Sequence, residues 1–130
     1  MSNWWSKRLW TIDDGEGFPS IISCTYLGVT GYAILAFSSQ ASAEHYKYVH
    51  VPNPENKTRE FRMKNQAGTP THVEVAATAR NYTDVTTAQK VIAMVIDPMN
   101  PEPEWVSIED AKNLGLEKRR VKKAENELLS

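Results

Sequence analysis

The chain has 130 residues, enough for one ordinary domain or for one membrane span with a smaller piece attached. Fifteen basic against sixteen acidic side chains leave it near neutral, without the strongly basic footprint of a nucleic-acid binder. A single cysteine, Cys24, excludes an internal disulfide framework and a multi-cysteine zinc site.

Residues 1–17, MSNWWSKRLWTIDDGEG, do not read as a signal or transit peptide, because Asp13, Asp14 and Glu16 follow the basic pair Lys7 and Arg8. Trp4, Trp5, Leu9 and Ile12 can share one side of a short interfacial helix. With long cations beside amphipathic rings, Trp4, Trp5, Lys7, Arg8 and Trp10 are expected membrane-interface anchors.

The next stretch, FPSIISCTYLGVTGYAILAFSS, lies within an uncharged run over residues 17–43. Two readings compete for it. As a helix, about 20 residues cross a hydrocarbon core about 30 Å thick. The sequence then predicts a transmembrane helix over 18–40, with Tyr46, Lys47 and Tyr48 anchoring its far side. Ser20, Cys24, Gly28 and Gly31 would form a stripe of small residues on that helix, its expected packing interface. As strands, SIISCTYL and YAILAFSS would flank the glycines of GVTG in a soluble, β-rich α+β domain. So long an uncharged run, in a chain about a quarter charged, favours the span.

Residues 41–104 read as a small α+β or irregular extramembrane region. HYKYVHV and REFRMK are expected strands around the polar loop PNPENKT, and THVEVAATARNY is a third, with Val73 and Val75 on one face. Residues 83–97 are ambiguous. Val85, Ala88, Ile92 and Val95 fit a helical stripe capped by Thr83, whereas KVIAMVI alone would serve as a buried strand; the helix, ended by Pro98, is preferred. DPMNPEPEW is a proline-rich connector. Residues 105–130 are expected to form an amphipathic helix capped by Ser107, with Asp110 three residues on. Its basic cluster Lys118, Arg119, Arg120, Lys122 and Lys123 can meet lipid headgroups or an acidic partner, although a solvated helix face, with acids interspersed, is the preferred explanation.

Chemistry has little foothold. His45, His50 and His72 lack HExxH or CxxC spacing, and no GxSxG elbow or phosphate-binding glycine loop occurs. No catalytic residue, metal or cofactor is expected. The fold expected is a single transmembrane α-helix with a short amphipathic Trp-rich segment before it and a small extramembrane region after it. The expected function is that of a non-catalytic, single-pass accessory subunit of a respiratory or other energy-transducing membrane complex, placed in the mitochondrial inner membrane. Its partners would be neighbouring subunits and the lipid bilayer, with no nucleic acid and no small-molecule substrate. The rival from another class is a soluble self-assembling structural protein such as a virus coat subunit. A weaker one is a phage lysis-type membrane protein.

Overall fold

Trp10–Asp13 forms strand β1, and the uncharged run that follows folds as a hairpin rather than as a helix. The structure, a computed structural model, describes Trp4 and residues 8–61, 71–85 and 90–110. Ile21–Tyr26 (β2) pairs antiparallel with Val29–Ala36 (β3), Tyr26 opposite Val29 at the closed end. Between them Leu27 and Gly28 have φ of 51° and 78°. Two successive positive φ values are the signature of a type I′ turn, whose twist matches the strands it joins. Leucine is a poor occupant of that position, and Leu27 is 82 % exposed, so it gains little packing in return. Leu27→Asn is therefore expected to raise stability by about 1 kcal/mol, read from the midpoint of chemical unfolding.

After the hairpin come Gln40–His50 (α1), Lys57–Glu60 (β4), Thr71–Val85 (α2), Val91–Ile96 (β5) and Glu104–Ser107 (β6). The main sheet has the order β2-β3-β5-β6; β3 and β5 run parallel and the other pairs antiparallel. β1 and β4 make a small antiparallel sheet of their own. That sheet is tied to the main one where Trp10 and Phe37 exchange both backbone hydrogen bonds at 2.8 Å. One face of the main sheet presents Ile34, Ala36, Met94, Ile96 and Val106 to Val75 and Ala79 of α2. The other presents Ala33, Leu35, Phe37, Ala93 and Val95 to Ile12 of β1 and to Ala43 and Tyr46 of α1.

The expected transmembrane helix over 18–40 is thus corrected to a β-rich α+β fold, the alternative reading. Among the described residues no helix is long and apolar enough to cross a membrane, so the integral, inner-membrane placement falls with it. The physical reason lies in β3. Residues 33–37 are buried on both faces, and parallel strands covered on both faces read as continuous apolar runs rather than as alternation. The hydroxyls that dilute the run, Ser23, Thr25 and Thr30, are exposed along the hairpin.

The same effect hid β5. The helix preferred over 83–97 is corrected: α2 ends at Val85, and Val91–Ile96 is a strand buried on both sides. Two expected strands are helices instead. HYKYVHV belongs to α1, which Ser39 caps by accepting the Ser42 amide at 3.1 Å. Its buried residues Ala43 and Tyr46 are three apart, a helical spacing that outweighs the alternation of Tyr46, Tyr48 and His50. THVEVAATARNY lies in α2, where Thr71, Val75 and Ala79 are buried at steps of four. Of REFRMK, Arg59 and Glu60 belong to β4, which spans Lys57–Glu60, and residues 62–64 lie outside the described residues. The expected cap at Ser107 is present: its hydroxyl accepts the Asp110 amide at 3.1 Å as a helix begins at residues 108–110. Lys118, Arg119, Arg120, Lys122 and Lys123 lie outside the described residues.

Candidate functional site

The residues expected to form a helical stripe lie instead along the hairpin. Ser20 precedes β2, Cys24 is directly opposite Gly31, and Gly28 is in the turn. Smallness matters at Gly31 for a different reason. A Cβ there would stand 2.9 Å from the Lys90 carbonyl oxygen and 3.0 Å from Ile92 Cγ2, so β5 approaches β3 over this residue. Burial raises the pKa of the Cys24 thiol, which lowers its thiolate fraction and its reactivity at neutral pH.

The expected anchors also separate. Trp4, 5 % exposed, belongs to the core beside Leu9 and Phe61, and Trp10 is half-buried in β1. Tyr46 packs on Phe37 with ring centroids 5.4 Å apart and on His50 at 4.6 Å, and burial raises its phenol pKa. Lys47 is half-buried, while Tyr48 and Arg8 are exposed, Arg8 lying over the Trp10 ring and paired with Glu60. Trp5 and Lys7 lie outside the described residues. Among the described ones, Trp4 belongs to one core cluster, and Tyr46, with Trp10 packed against it, to the other.

In sheets with parallel strands, ligands favour the crevice beyond the strands' carboxyl ends. Here that crevice lies between α1 and the loop after β5. It is a cavity of about 320 Å³ lined by Phe37, Ala41, Ser42, His45, Asp97, Met99 and Asn100. Asp97, with φ of 54°, is the knot that holds the two strand ends together. Its amide donates to the Ala36 carbonyl at 2.9 Å, its carbonyl accepts the Asn100 amide at 3.0 Å, and its carboxylate accepts the Ser38 amide at 2.9 Å. The Ser42 hydroxyl is hydrogen-bonded to that of Ser39 at 3.0 Å. Among the described residues, neither Ser42 nor Asp97 is hydrogen-bonded to His45. Among the described residues no three His, Cys, Asp or Glu side chains gather as metal ligands.

A second cluster is centred on Arg59 of β4. Its Nε donates to Asp13 Oδ2 at 2.8 Å and its Nη2 to Glu74 Oε1 at 2.8 Å, with further bonds to the carbonyls of Glu60 and Gly17. Asp13 Oδ1 accepts the amides of Gly15 and Gly17 at 2.8 and 3.1 Å. Burial pushes the Asp13 carboxyl up, but Arg59 and those two amides outweigh it and hold the pKa below its ordinary value. For Arg59, burial works against the charge, and Glu74 and Asp13 more than offset it. The cluster joins β1, β4, α2 and the loop before β2 through contacts internal to the chain. Sequence reading missed it because its members are far apart in the chain and no local spacing links them.

The strand edges differ sharply in chemistry. β6 is preceded by Pro101, Glu102 and Pro103 and begins with Glu104. β4 carries Lys57, Arg59 and Glu60. Charges and prolines of this kind deter another chain from adding to an edge. β2, with the sequence IISCTY, has neither within it, and among the described strands it is the outer one at its side of the main sheet. A two-residue hairpin closes on a hydrogen-bonded pair, here Tyr26 and Val29, and such pairs alternate along the ladder. The amides and carbonyls of Ile22, Cys24 and Tyr26 therefore face β3, and those of Ile21, Ser23 and Thr25 face outward. The apolar tip, with Leu27 and Val29 both exposed, extends this edge. The sequence matches no protein-family model and no curated protein.

Proposed function

We propose that the chain is a non-catalytic structural protein that assembles with copies of itself, joined through the β2 edge. One observation supports this above the others. Among the described strands, β6 and β4 carry the charges or prolines that keep an outer edge from pairing, and β2 has none. An unguarded edge offers hydrogen-bond donors and acceptors in an order that only another extended backbone matches. The accessory-subunit reading drew its premise from the span, and that premise is gone. The crevice at Asp97 lends less support to chemistry, because its Asp97 carboxylate and Ser42 hydroxyl are bound to Ser38 and Ser39 of the chain itself.

Sedimentation equilibrium without detergent tests the reading. The wild-type chain is expected to associate reversibly. Ser23→Lys places a charge on an exposed outward position and is expected to weaken association by at least about tenfold while leaving the circular-dichroism spectrum unchanged. A wild-type chain that stays monomeric at every accessible concentration would end the proposal.

A further inference from the structure

The geometry points to a closed pair in which two copies join β2 to β2 antiparallel, about a two-fold axis at Ser23. This rests on the assembly reading above and adds to it a register and a stoichiometry.

Parity fixes the register. The outward-facing residues are Ile21, Ser23 and Thr25. With the axis at Ser23, Ile21 lies opposite Thr25 of the second copy, Ser23 opposite Ser23, and Thr25 opposite Ile21. Every outward amide and carbonyl of the strand then finds a partner, giving about six hydrogen bonds between the copies. Axes at Ile22 or Cys24 satisfy only two of the three residues on each strand. The side chains agree with this choice. Ser23, small and exposed, meets its own copy at the axis, where bulk would keep the strands apart. On the other face the half-buried Ile22 comes beside Cys24 of the second copy, apolar against apolar.

Charge selects the occupant. In antiparallel self-pairing a strand meets its own sequence, so any charge near the axis would face its like. From Ile21 to Tyr26 there is none, which makes the strand complementary to itself. Addition to a different edge of a second copy would meet the glutamates and prolines at β6 or the mixed charges of β4. The contact is therefore isologous, and an isologous contact that consumes the free edge of both copies stops at two.

Two measurements on the full chain test this. Amide hydrogen exchange followed by NMR should slow at Ile21, Ser23 and Thr25 as concentration rises, while Ile22, Cys24 and Tyr26 stay protected throughout. Outward amides that are protected equally at every dilution would mean that the chain covers its own edge, and would overturn the proposal. In a Cys24→Ser background, Ser23→Cys should oxidise to a covalent dimer, since directly paired residues lie within the Cα separation a disulfide accepts. Thr25→Cys, displaced from the axis, should cross-link at least about tenfold more slowly. A wild-type disulfide through Cys24 would move the axis to that residue and overturn the register. Dimers in the ultracentrifuge whose Ser23→Cys form fails to cross-link would overturn the register and leave the assembly reading standing, whereas a monomer at every concentration would overturn both.

Discussion

Arg59→Met is expected to lower stability by about 3 kcal/mol, measured by urea unfolding at neutral pH. The Arg59 side chain is 21 % exposed, and those of Asp13 and Glu74 are 17 % and 10 % exposed. Removing the cation leaves two acids close together in a site largely shielded from water. Such a loss usually costs about 3–5 kcal/mol, and the lower figure applies because the Gly15 and Gly17 amides still hold Asp13. Arg59→Lys should recover only part of the loss, since one ammonium cannot reproduce a fork reaching both carboxylates and two carbonyls.

The pH dependence carries the same argument. The folded-state pKa of Asp13 is depressed. Its contribution is therefore complete above the unfolded value of about 3.8 and is lost as pH falls through the lower folded value, where the unfolded chain binds the extra proton. In the Arg59→Met protein the carboxyl loses its main support, so its folded pKa rises and acid costs the variant less. The stability gap between wild type and variant should narrow steadily below about pH 4. Parallel curves would show that Asp13 does not depend on Arg59.

How far the sequence reached is clearest in these same residues. The cap at Ser107 was legible because a serine hydroxyl and an amide three residues on are a local arrangement. The hairpin was legible only as an alternative. GVTG offered two glycines, but the turn uses Leu27 and Gly28, and Gly31 lies within β3. Residues 33–37 and Val91–Ile96 carried no periodicity because both faces of these strands are covered, and a strand so covered is indistinguishable from a buried helix segment. α1 and α2 were lost to the alternation of aromatic and valine residues, which outranked a stripe of alanines and threonines too small to register as apolar. The Arg59 cluster and the outer position of β2 among the described strands depend on strand order and on contacts distant in the chain, so no window of sequence contains them. The missing charges of β2 were visible from the start, but with a buried β3 next to it they looked like one long apolar segment.

Gly31→Ala separates these geometries by the sign of its effect. In a helix, alanine is better than glycine by about 1 kcal/mol. In the strand pair, the new Cβ would stand 2.9 Å from the Lys90 carbonyl oxygen and 3.0 and 3.2 Å from Ile92 Cγ2 and Cδ1. The isoleucine can rotate away, but the carbonyl accepts the Tyr32 amide at 2.9 Å, beside the register shift at Tyr32/Ala33, and cannot retreat without loosening that bond. A loss of about 1–3 kcal/mol is expected from thermal or chemical unfolding. Adding Ile92→Val should recover part of the loss, because it removes Cδ1 but leaves Cγ2 and the carbonyl in place. Full recovery would place the whole collision on Cδ1 of Ile92. A stabilised single variant would contradict the close approach of β5 to β3, and with it the strand order that leaves β2 at the edge.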